Sequence, residues 1–283
     1  MLGLSEQEAA RAVAFAVKRL SDRGGEGLTL TSLRRGFGAA VETAVARFGD
    51  LRCAIVTGGF ALVFQPIVAL ADRRPHHYEV LARFPEGPDP FEVVRFGEEI
   101  GLIEELDLAI CRKAIAVLEQ NPALALAVNL SGRSVESAGF RGALAELLRA
   151  HCGLHHRLIF ELTESYAIER VAEAASFLAG LREQGCALCL DDFGAGAAAY
   201  HYLRHFEIDF VKIDGPFLKA AGTHPRDRAL VRSICQLCRE LGIGVIGEMI
   251  EDEAACTAAA ALGIGYGQGR LFGAPAAAIP GEP

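Results

Sequence analysis

The chain has 283 residues, of which 51% are hydrophobic, with a formal net charge of −8 and a pI of about 5.5. This is enough apolar material for one large domain with an appendage. The acidic balance, without a long Lys/Arg run, excludes a nucleic-acid polymer held by bulk charge. We expect no membrane span. Because the eight cysteines occur without a signal peptide, we expect reduced thiols and a cytoplasmic protein.

The N-terminal residues predict helices and carry no chemical motif. Residues 5–22 place apolar side chains on one helical face. A second helix is predicted from Thr31 or Ser32, both plausible N-caps, to about Arg47. The predicted division is residues 1–50 for a helical regulatory or linker segment and residues 51–283 for the main domain.

Beyond this segment, short apolar runs that predict buried strands alternate with helices. The first two strands, 60–70 and 77–84, are joined by a link of about five residues, which is too short for a parallel crossover, so they should be antiparallel. His76 and His77 are assigned to this turn. The remaining predicted strands are 125–131, 157–163, 186–191, 209–214, 243–248 and 265–271. The predicted helices are 91–120 in two pieces, 139–150, 168–184, 196–205, 225–241 and 251–262.

Eight strands with interleaved helices favour a modified TIM (β/α)₈ barrel over a doubly wound sheet. In such a barrel the carboxyl ends of the parallel strands meet at one mouth. Hard oxygen donors recur at these strand ends. The donors are Glu79, Asn129, Glu161, Asp191, Asp192 and Glu248.

Any one of these donors alone is more simply explained as a helix cap or a solvated loop residue. Independent caps, however, have no reason to recur on nearly every strand, and buried carboxylates are costly unless they are paired or bound to a metal. Together they predict a site for one or two hard divalent cations such as Mg²⁺ or Mn²⁺. Two such ions can clamp a phosphodiester and activate a water molecule.

Two basic residues extend this site. Lys212 lies in a strand between Val211 and Ile213, where a buried ammonium group could polarise a water molecule or neutralise phosphoryl oxygens. Arg83 lies on the same side of its strand as Glu79 and could hold a phosphate.

Seven ordered motifs resemble the EAL-domain family of cyclic di-GMP phosphodiesterases. They are YEVLAR, VNLS, FELTES, LDDFGAG, DFVKID, GEMIE and YGQGRLFG, within roughly Leu51 to Pro275. The resemblance implies a modified TIM barrel whose first strand runs antiparallel. It also implies hydrolysis of cyclic di-GMP to linear pGpG with two divalent cations, Mg²⁺ or Mn²⁺.

The resemblance also assigns roles to single residues. Ligands of the first ion would be Glu79, Asn129, Glu161 and Asp191, and ligands of the second would be Asp191, Asp192 and Glu248. Lys212 would assist the attacking water, and Glu164 would anchor the loop Phe193–Ala199. Apart from the resemblance, the place of Glu248 at the end of the seventh strand also allows it to act as the base. Gln65, Leu81, Arg83 and Gln268 would contact substrate or orient neighbours. A homodimer would form through the loop and helix near 193–205, a segment poor in charge.

Three departures from the family pattern are visible. Val80 replaces Ala in the signature triplet, where we expect little effect. The loop reads GAGAAAY and has lost hydroxyl groups, and Met249 stands where the family usually has glycine. These changes keep open a second function, a cyclic di-GMP receptor without significant turnover. A third, another metal-dependent TIM-barrel hydrolase, is disfavoured because Lys212 and Gln268 fall within the motifs.

Overall fold

The structure is a computed structural model, and it describes residues 10–15, 17–18, 30–85, 89–163, 168–194 and 199–278. The chain divides into two compact units. The first unit comprises Met1–Ala61 and Arg83–Ala109, and the second comprises Leu62–Ala82 and Ile110–Pro283.

Residues 10–15 and 17–18 are helical, within the first predicted helix. The helices that follow are α1 (Leu30–Thr57), α2 (Pro90–Ile100), α3 (Ile103–Gln120), α4 (Gly132–Glu136), α5 (Ala138–Ala150), α6 (Val171–Glu183), α7 (Ala199–His205), α8 (Gly215–Thr223), α9 (Pro225–Leu241) and α10 (Glu253–Leu262). A 3₁₀ helix spans Cys152–Arg157. The strands are β1 (Ala61–Ala69), β2 (Pro75–Arg83), β3 (Leu126–Ser131), β4 (Leu158–Thr163), β5 (Ala187–Phe193), β6 (Phe210–Ile213), β7 (Gly244–Gly247) and β8 (Tyr266–Gln268).

In the first unit, α1 continues ten residues beyond the end predicted near Arg47. Ala44, Phe48 and Leu51 are all buried and recur at helical spacing, so one apolar face persists past that point. The next helix, α2, is preceded by the N-cap residue Asp89, whose side chain accepts a hydrogen bond from the backbone N–H of Phe91.

The eight strands of the second unit close into a barrel in chain order, as predicted. The strands from β2 to β8 are parallel neighbours, whereas β1 runs antiparallel to β8. The turn after β1 is short, because the N–H of Ala69 donates to the carbonyl oxygen of Arg74 at 3.0 Å. A turn of this length can only reverse the chain, which confirms the antiparallel first strand.

Alternation along the strands places the acidic residues directly above a buried apolar layer. That layer contains Ile67, Ala127, Ile159, Cys189 and Ile246, all almost inaccessible to solvent. Side chains two residues apart on a strand point to the same face. Asn129, Glu161, Asp191 and Glu248 each follow a member of this layer by two residues, so their side chains form the next layer toward the carboxyl ends of the strands.

The assignment of His76 and His77 to a turn was wrong. Both lie in β2, and His77 is only 1% exposed. Its ring packs 5.9 Å from that of Phe210, centroid to centroid. Burial, then the charges of His76 and Lys212, lower the pKa of His77 to about 3. His77 is therefore a neutral interior side chain rather than a surface residue.

Helix α8 was not predicted from the sequence. It begins with Gly215-Pro216, two residues that usually interrupt helices. Proline at the first turn is nevertheless compatible with a helix, because its missing N–H needs no partner there. Asp214 occupies the N-cap position. The Asp-Gly-Pro sequence was the available signal.

Candidate metal centre

The ammonium group of Lys212 is the centre of the acidic layer. Its side chain is 1% exposed. Nζ lies 3.2 Å from an oxygen of each of Glu79, Glu161 and Asp191, and 2.9 Å from Oε1 of Glu248. Burial alone would lower the pKa of Lys212, but the charges of Asp191, Glu161, Glu79 and Glu248 outweigh it and hold the pKa well above its usual value. Lys212 is therefore a permanent cation among four carboxyl groups.

Glu79 is held as a carboxylate by donors on both oxygens. Oε1 accepts a hydrogen bond from Nδ2 of Asn129 at 2.9 Å. Oε2 accepts from Nε2 of Gln268 at 2.6 Å and from Nζ of Lys212 at 3.2 Å. Burial would raise the pKa of Glu79, but the Lys212 charge and these hydrogen bonds together lower it below its usual value. Glu79 is thus an ionised carboxylate with a fixed orientation.

Glu161 lies at the same 3.2 Å from Lys212 but behaves differently. Its side chain is fully buried, and Oε1 has no hydrogen-bond partner. Burial, opposed by Lys212 and reinforced by the charges of Glu79 and Asp191, raises the pKa of Glu161 well above its usual value. A buried carboxyl oxygen without a partner is costly, and a bound cation is one way to satisfy it.

A β-bulge brings two consecutive carboxylates to one side of β5. Leu190 pairs with Val211 and Phe193 pairs with Ile213. Between these two pairs β5 advances by three residues, whereas β6 advances by two. Asp192 has a φ of 54°, in the left-handed region. In a regular strand Asp191 and Asp192 would point to opposite faces, and the bulge removes that alternation.

The bulge completes a second group of oxygen donors. Carboxylate oxygens of Asp191, Asp192 and Glu248 all lie within 4.8 Å of one another. Burial, more than the opposing charge of Lys212, raises the pKa of Glu248 to about 7. Burial and then the charge of Asp191 raise the pKa of Asp192. These three carboxyl groups bring negative charges close together, which is an arrangement typical of the ligands of a cation.

The donor set fits divalent cations. Asp192 joins the four carboxyl groups around Lys212, so the site holds five carboxyl groups and one ammonium group, and in its fully ionised form carries four uncompensated negative charges. Carboxylate and amide oxygens are the ligands that Mg²⁺ and Mn²⁺ take in proteins. The metal ligands predicted from the sequence are therefore brought together in one layer.

Three of the four predicted substrate contacts lie in the second unit, and the fourth lies in the first. Nε2 of Gln268, which also donates to Glu79, lies 3.1 Å from Oε1 of Gln65, so these two side chains belong to the same network. Leu81 follows Glu79 by two residues in β2 and points to the same face. Arg83 belongs to the first unit, and its role stays a prediction. Glu164 lies outside the described residues.

The comparison with protein families gives a match over most of the chain. The family described as "EAL domain" matches residues 49–275. The chain belongs to the EAL domain family.

Curated relatives of this EAL domain include two named cyclic di-GMP phosphodiesterases. PdeF of Escherichia coli is 34% identical over 243 residues, which cover 83% of this chain and 32% of PdeF. PdeB of Shewanella oneidensis is 34% identical over 231 residues, covering 78% of this chain and 27% of PdeB. The chain therefore spans about a third or less of the length of these two relatives.

Solved EAL structures share the fold. The FimX EAL domain from Pseudomonas aeruginosa, bound to c-di-GMP, has a TM-score of 0.74 and 26% identity over 82% of this chain and 97% of its own. A PaMucR phosphodiesterase in a c-di-GMP complex has a TM-score of 0.72 and 28% identity, again over 82% and 97%. Among the residues that the structure describes, no helix is both long and apolar enough to cross a membrane.

Proposed function

We propose that the protein hydrolyses cyclic di-GMP to linear pGpG. The observation that carries the proposal is the layer of acids around Lys212 at the carboxyl end of an EAL barrel. The names of PdeF and PdeB support the substrate and the reaction. A receptor that binds cyclic di-GMP without cleaving it is the second candidate, because Met249 is exposed and has a φ of 52° directly after Glu248.

Two divalent cations, Mg²⁺ or Mn²⁺, would be held by this layer. Glu79, Asn129, Glu161 and Asp191 would hold one, and Asp191, Asp192 and Glu248 would hold the other. Together they would balance the four negative charges described above. When bound, such ions neutralise phosphoryl oxygens and lower the pKa of a bound water.

The chain's own residues would then position and stabilise the reacting groups. Lys212 would act as a positive charge that stabilises negative charge on the phosphoryl oxygens and orients the attacking water. Its contact with Glu248 at 2.9 Å holds that carboxylate toward the centre of the layer. Glu248 is the candidate acceptor for the proton that the water releases.

Contacts with the rest of the substrate are part of the same proposal. Gln65 and Gln268 form one hydrogen-bonded pair, and Gln268 also orients Glu79. Leu81 and Arg83 would contact the substrate from the end of β2. Glu164 would anchor the loop that follows Phe193. The division into residues 1–50 as a regulatory or linker segment and 51–283 as the catalytic domain belongs to the proposal as well.

The decisive experiment is incubation of the purified protein with cyclic di-GMP and either Mg²⁺ or Mn²⁺, with pGpG measured by chromatography. Glu79→Gln, which removes one ligand charge, is the matched control. We expect pGpG from the wild type only. Calorimetric binding of cyclic di-GMP without any pGpG would favour the receptor instead. Neither binding nor cleavage would overturn both.

We further propose a homodimer through the loop and helix near 193–205. Tyr200 in α7 is 55% exposed, and its ring packs 5.3 Å from that of Phe193, centroid to centroid. An exposed aromatic residue in a charge-poor segment is typical of an interface core. Tyr202, however, is buried within its own chain, where its hydroxyl accepts a hydrogen bond from the N–H of Ile168 at 2.9 Å. Residues 195–198 lie outside the described residues.

A further inference from the structure

The segment after β7 contains a methionine in an unusual conformation. Met249 has a φ of 52°, in the left-handed region that side chains other than glycine rarely adopt. Glycine would take this conformation without strain. Burial does not compensate for the strain, because Met249 is 60% exposed. Core packing therefore does not account for the presence of this side chain.

Gly215, the first residue of α8, makes room for this side chain. A Cβ atom added to Gly215 would collide with Cγ and Sδ of Met249 and would lie 2.6 Å from its Cβ. Gly215 itself does not have a positive φ, so its own backbone does not require glycine. The absence of a side chain at Gly215 thus leaves space for the inner part of Met249, while the residue as a whole stays largely exposed.

Met249 lies beside the group of acidic residues formed by Asp191, Asp192 and Glu248. It follows Glu248 in the chain, and both residues line a cavity of about 820 Å³ between α8, α9 and α10. Leu218, Ile250 and several alanines give the cavity apolar walls, and Lys219 and Arg232 also line it. Ligand pockets are commonly of this size and combine apolar walls with a few polar groups. A nucleotide matches this combination, because its flat base can lie against the apolar walls and its phosphate can face the charged groups.

We propose that Met249 is a substrate-binding residue whose thioether contacts a purine ring of the nucleotide bound beside Glu248. The inference rests on the proposed function, since cyclic di-GMP supplies the purine. Sulfur is polarisable and makes favourable contacts with aromatic rings. A ring lying on the thioether would also remove apolar surface from water. Such a contact exists equally before and during the reaction, so it strengthens binding without accelerating the chemical step.

The experiment compares Met249→Gly with Met249→Leu. In Met249→Gly we expect the KM for cyclic di-GMP to rise about five- to tenfold. We expect kcat to stay within about twofold, because the lost contact is uniform. The melting temperature should not fall, because glycine relieves the strain. Met249→Leu keeps the apolar bulk and should keep KM within about threefold of wild type. A purely structural role would give a lower melting temperature for Met249→Gly and an unchanged KM.

Two further variants separate the contact from the strain. Gly215→Ala should displace Met249 and raise KM, but should have no further effect in the Met249→Gly background, because the two residues act as one unit. Arg73→Gly relieves another positive φ, of 63°, in the turn between β1 and β2. Arg73 does not line the cavity, so this variant should leave KM unchanged.

The outcomes distinguish this inference from the proposed function. Suppose that the wild type turns over cyclic di-GMP. An unchanged KM in Met249→Gly, or a KM that rises as much in Arg73→Gly as in Met249→Gly, then overturns the role of Met249. The proposed function stands in both cases. If the wild type binds cyclic di-GMP without cleaving it, the same ratios are read from Kd by calorimetry and test the contact alone. A wild type that neither binds nor cleaves overturns both.

Discussion

Nζ of Lys212 lies 3.2 Å from Oε2 of Glu161, while Oε1 of the same carboxyl group has no hydrogen-bond partner. Both side chains are buried almost completely. A single lysine thus neutralises part of a crowded set of acids and leaves one carboxyl oxygen of Glu161 without a partner. Further positive charge that reaches the barrel mouth should therefore stabilise these buried acids.

Replacing Lys212 by Met should destabilise the metal-free protein by about 3 kcal/mol, because buried carboxyl groups lose their charged partner. Divalent cations should recover part of this loss, since they supply the missing positive charge. Turnover should fall about a hundredfold or more. Thermal unfolding in chelator and in Mn²⁺ measures the first effect, and pGpG release measures the second. Lys18→Met, at a largely exposed side chain that does not line the cavity beside Glu248, is the control. Equal stability of Lys212→Met and wild type in chelator would contradict the central role of Lys212.

Replacing Glu161 by Gln should weaken Mn²⁺ binding at least about tenfold, since an ionised ligand becomes neutral. The fold should tolerate the change, because the raised pKa of Glu161 means that the metal-free protein already disfavours its charge. Calorimetric titration with Mn²⁺ measures the affinity, and thermal unfolding in chelator measures the stability. Glu183→Gln, on the exposed end of α6, is the matched control. An unchanged Mn²⁺ affinity would remove Glu161 from the ligand set.

Glu79 should distinguish loss of charge from loss of structure. Both Glu79→Gln and Glu79→Ala should abolish hydrolysis, because each removes an ionised ligand. Glu79→Ala should in addition cost about 1–3 kcal/mol of stability, because the donors on Asn129, Gln268 and Lys212 lose their acceptor. Urea unfolding of both variants measures the difference. Near-normal turnover by either folded variant would refute the metal assignment.

Hydrolysis should require Mg²⁺ or Mn²⁺, and Ca²⁺ should not replace them. Ca²⁺ prefers longer bonds and more ligands, so it should occupy the carboxylates and hold water and phosphate poorly. Turnover should cease in excess chelator and return on addition of Mn²⁺. The measurement is pGpG release with each ion as the sole divalent cation. Full activity in chelator, or with Ca²⁺ alone, would show that the acids do not serve this chemistry.

Tyr200→Glu should split the proposed dimer, because it places a charge at the centre of a charge-poor surface. Light scattering at micromolar concentration, with and without Mn²⁺ and ligand, gives the mass. Leu230→Glu, at another exposed apolar residue on α9, should leave the dimer intact. A monomeric wild type refutes the dimer, whereas a dimer that survives Tyr200→Glu places the interface elsewhere.

The barrel and the acidic residues at its mouth could be predicted from sequence patterns. Apolar runs that end in an acid mark the carboxyl ends of strands, and the short link after Ala69 allows only an antiparallel first strand. These signals are local, since periodicity and turn length act over a few residues. Helix α8 escaped the same local reasoning, because Gly215-Pro216 interrupts helices in most contexts and is tolerated here only at a first turn.

The grouping of these acidic residues around one lysine depends on the tertiary structure. The bulge that turns Asp191 and Asp192 to one side is a mismatch of register between β5 and β6, which neither strand encodes alone. The four contacts of Lys212 join strands separated by up to 133 residues. The close contact between Met249 and Gly215 likewise depends on where α8 packs. Distances between strands follow from barrel closure, whereas a sequence pattern specifies only which face of each strand a residue occupies.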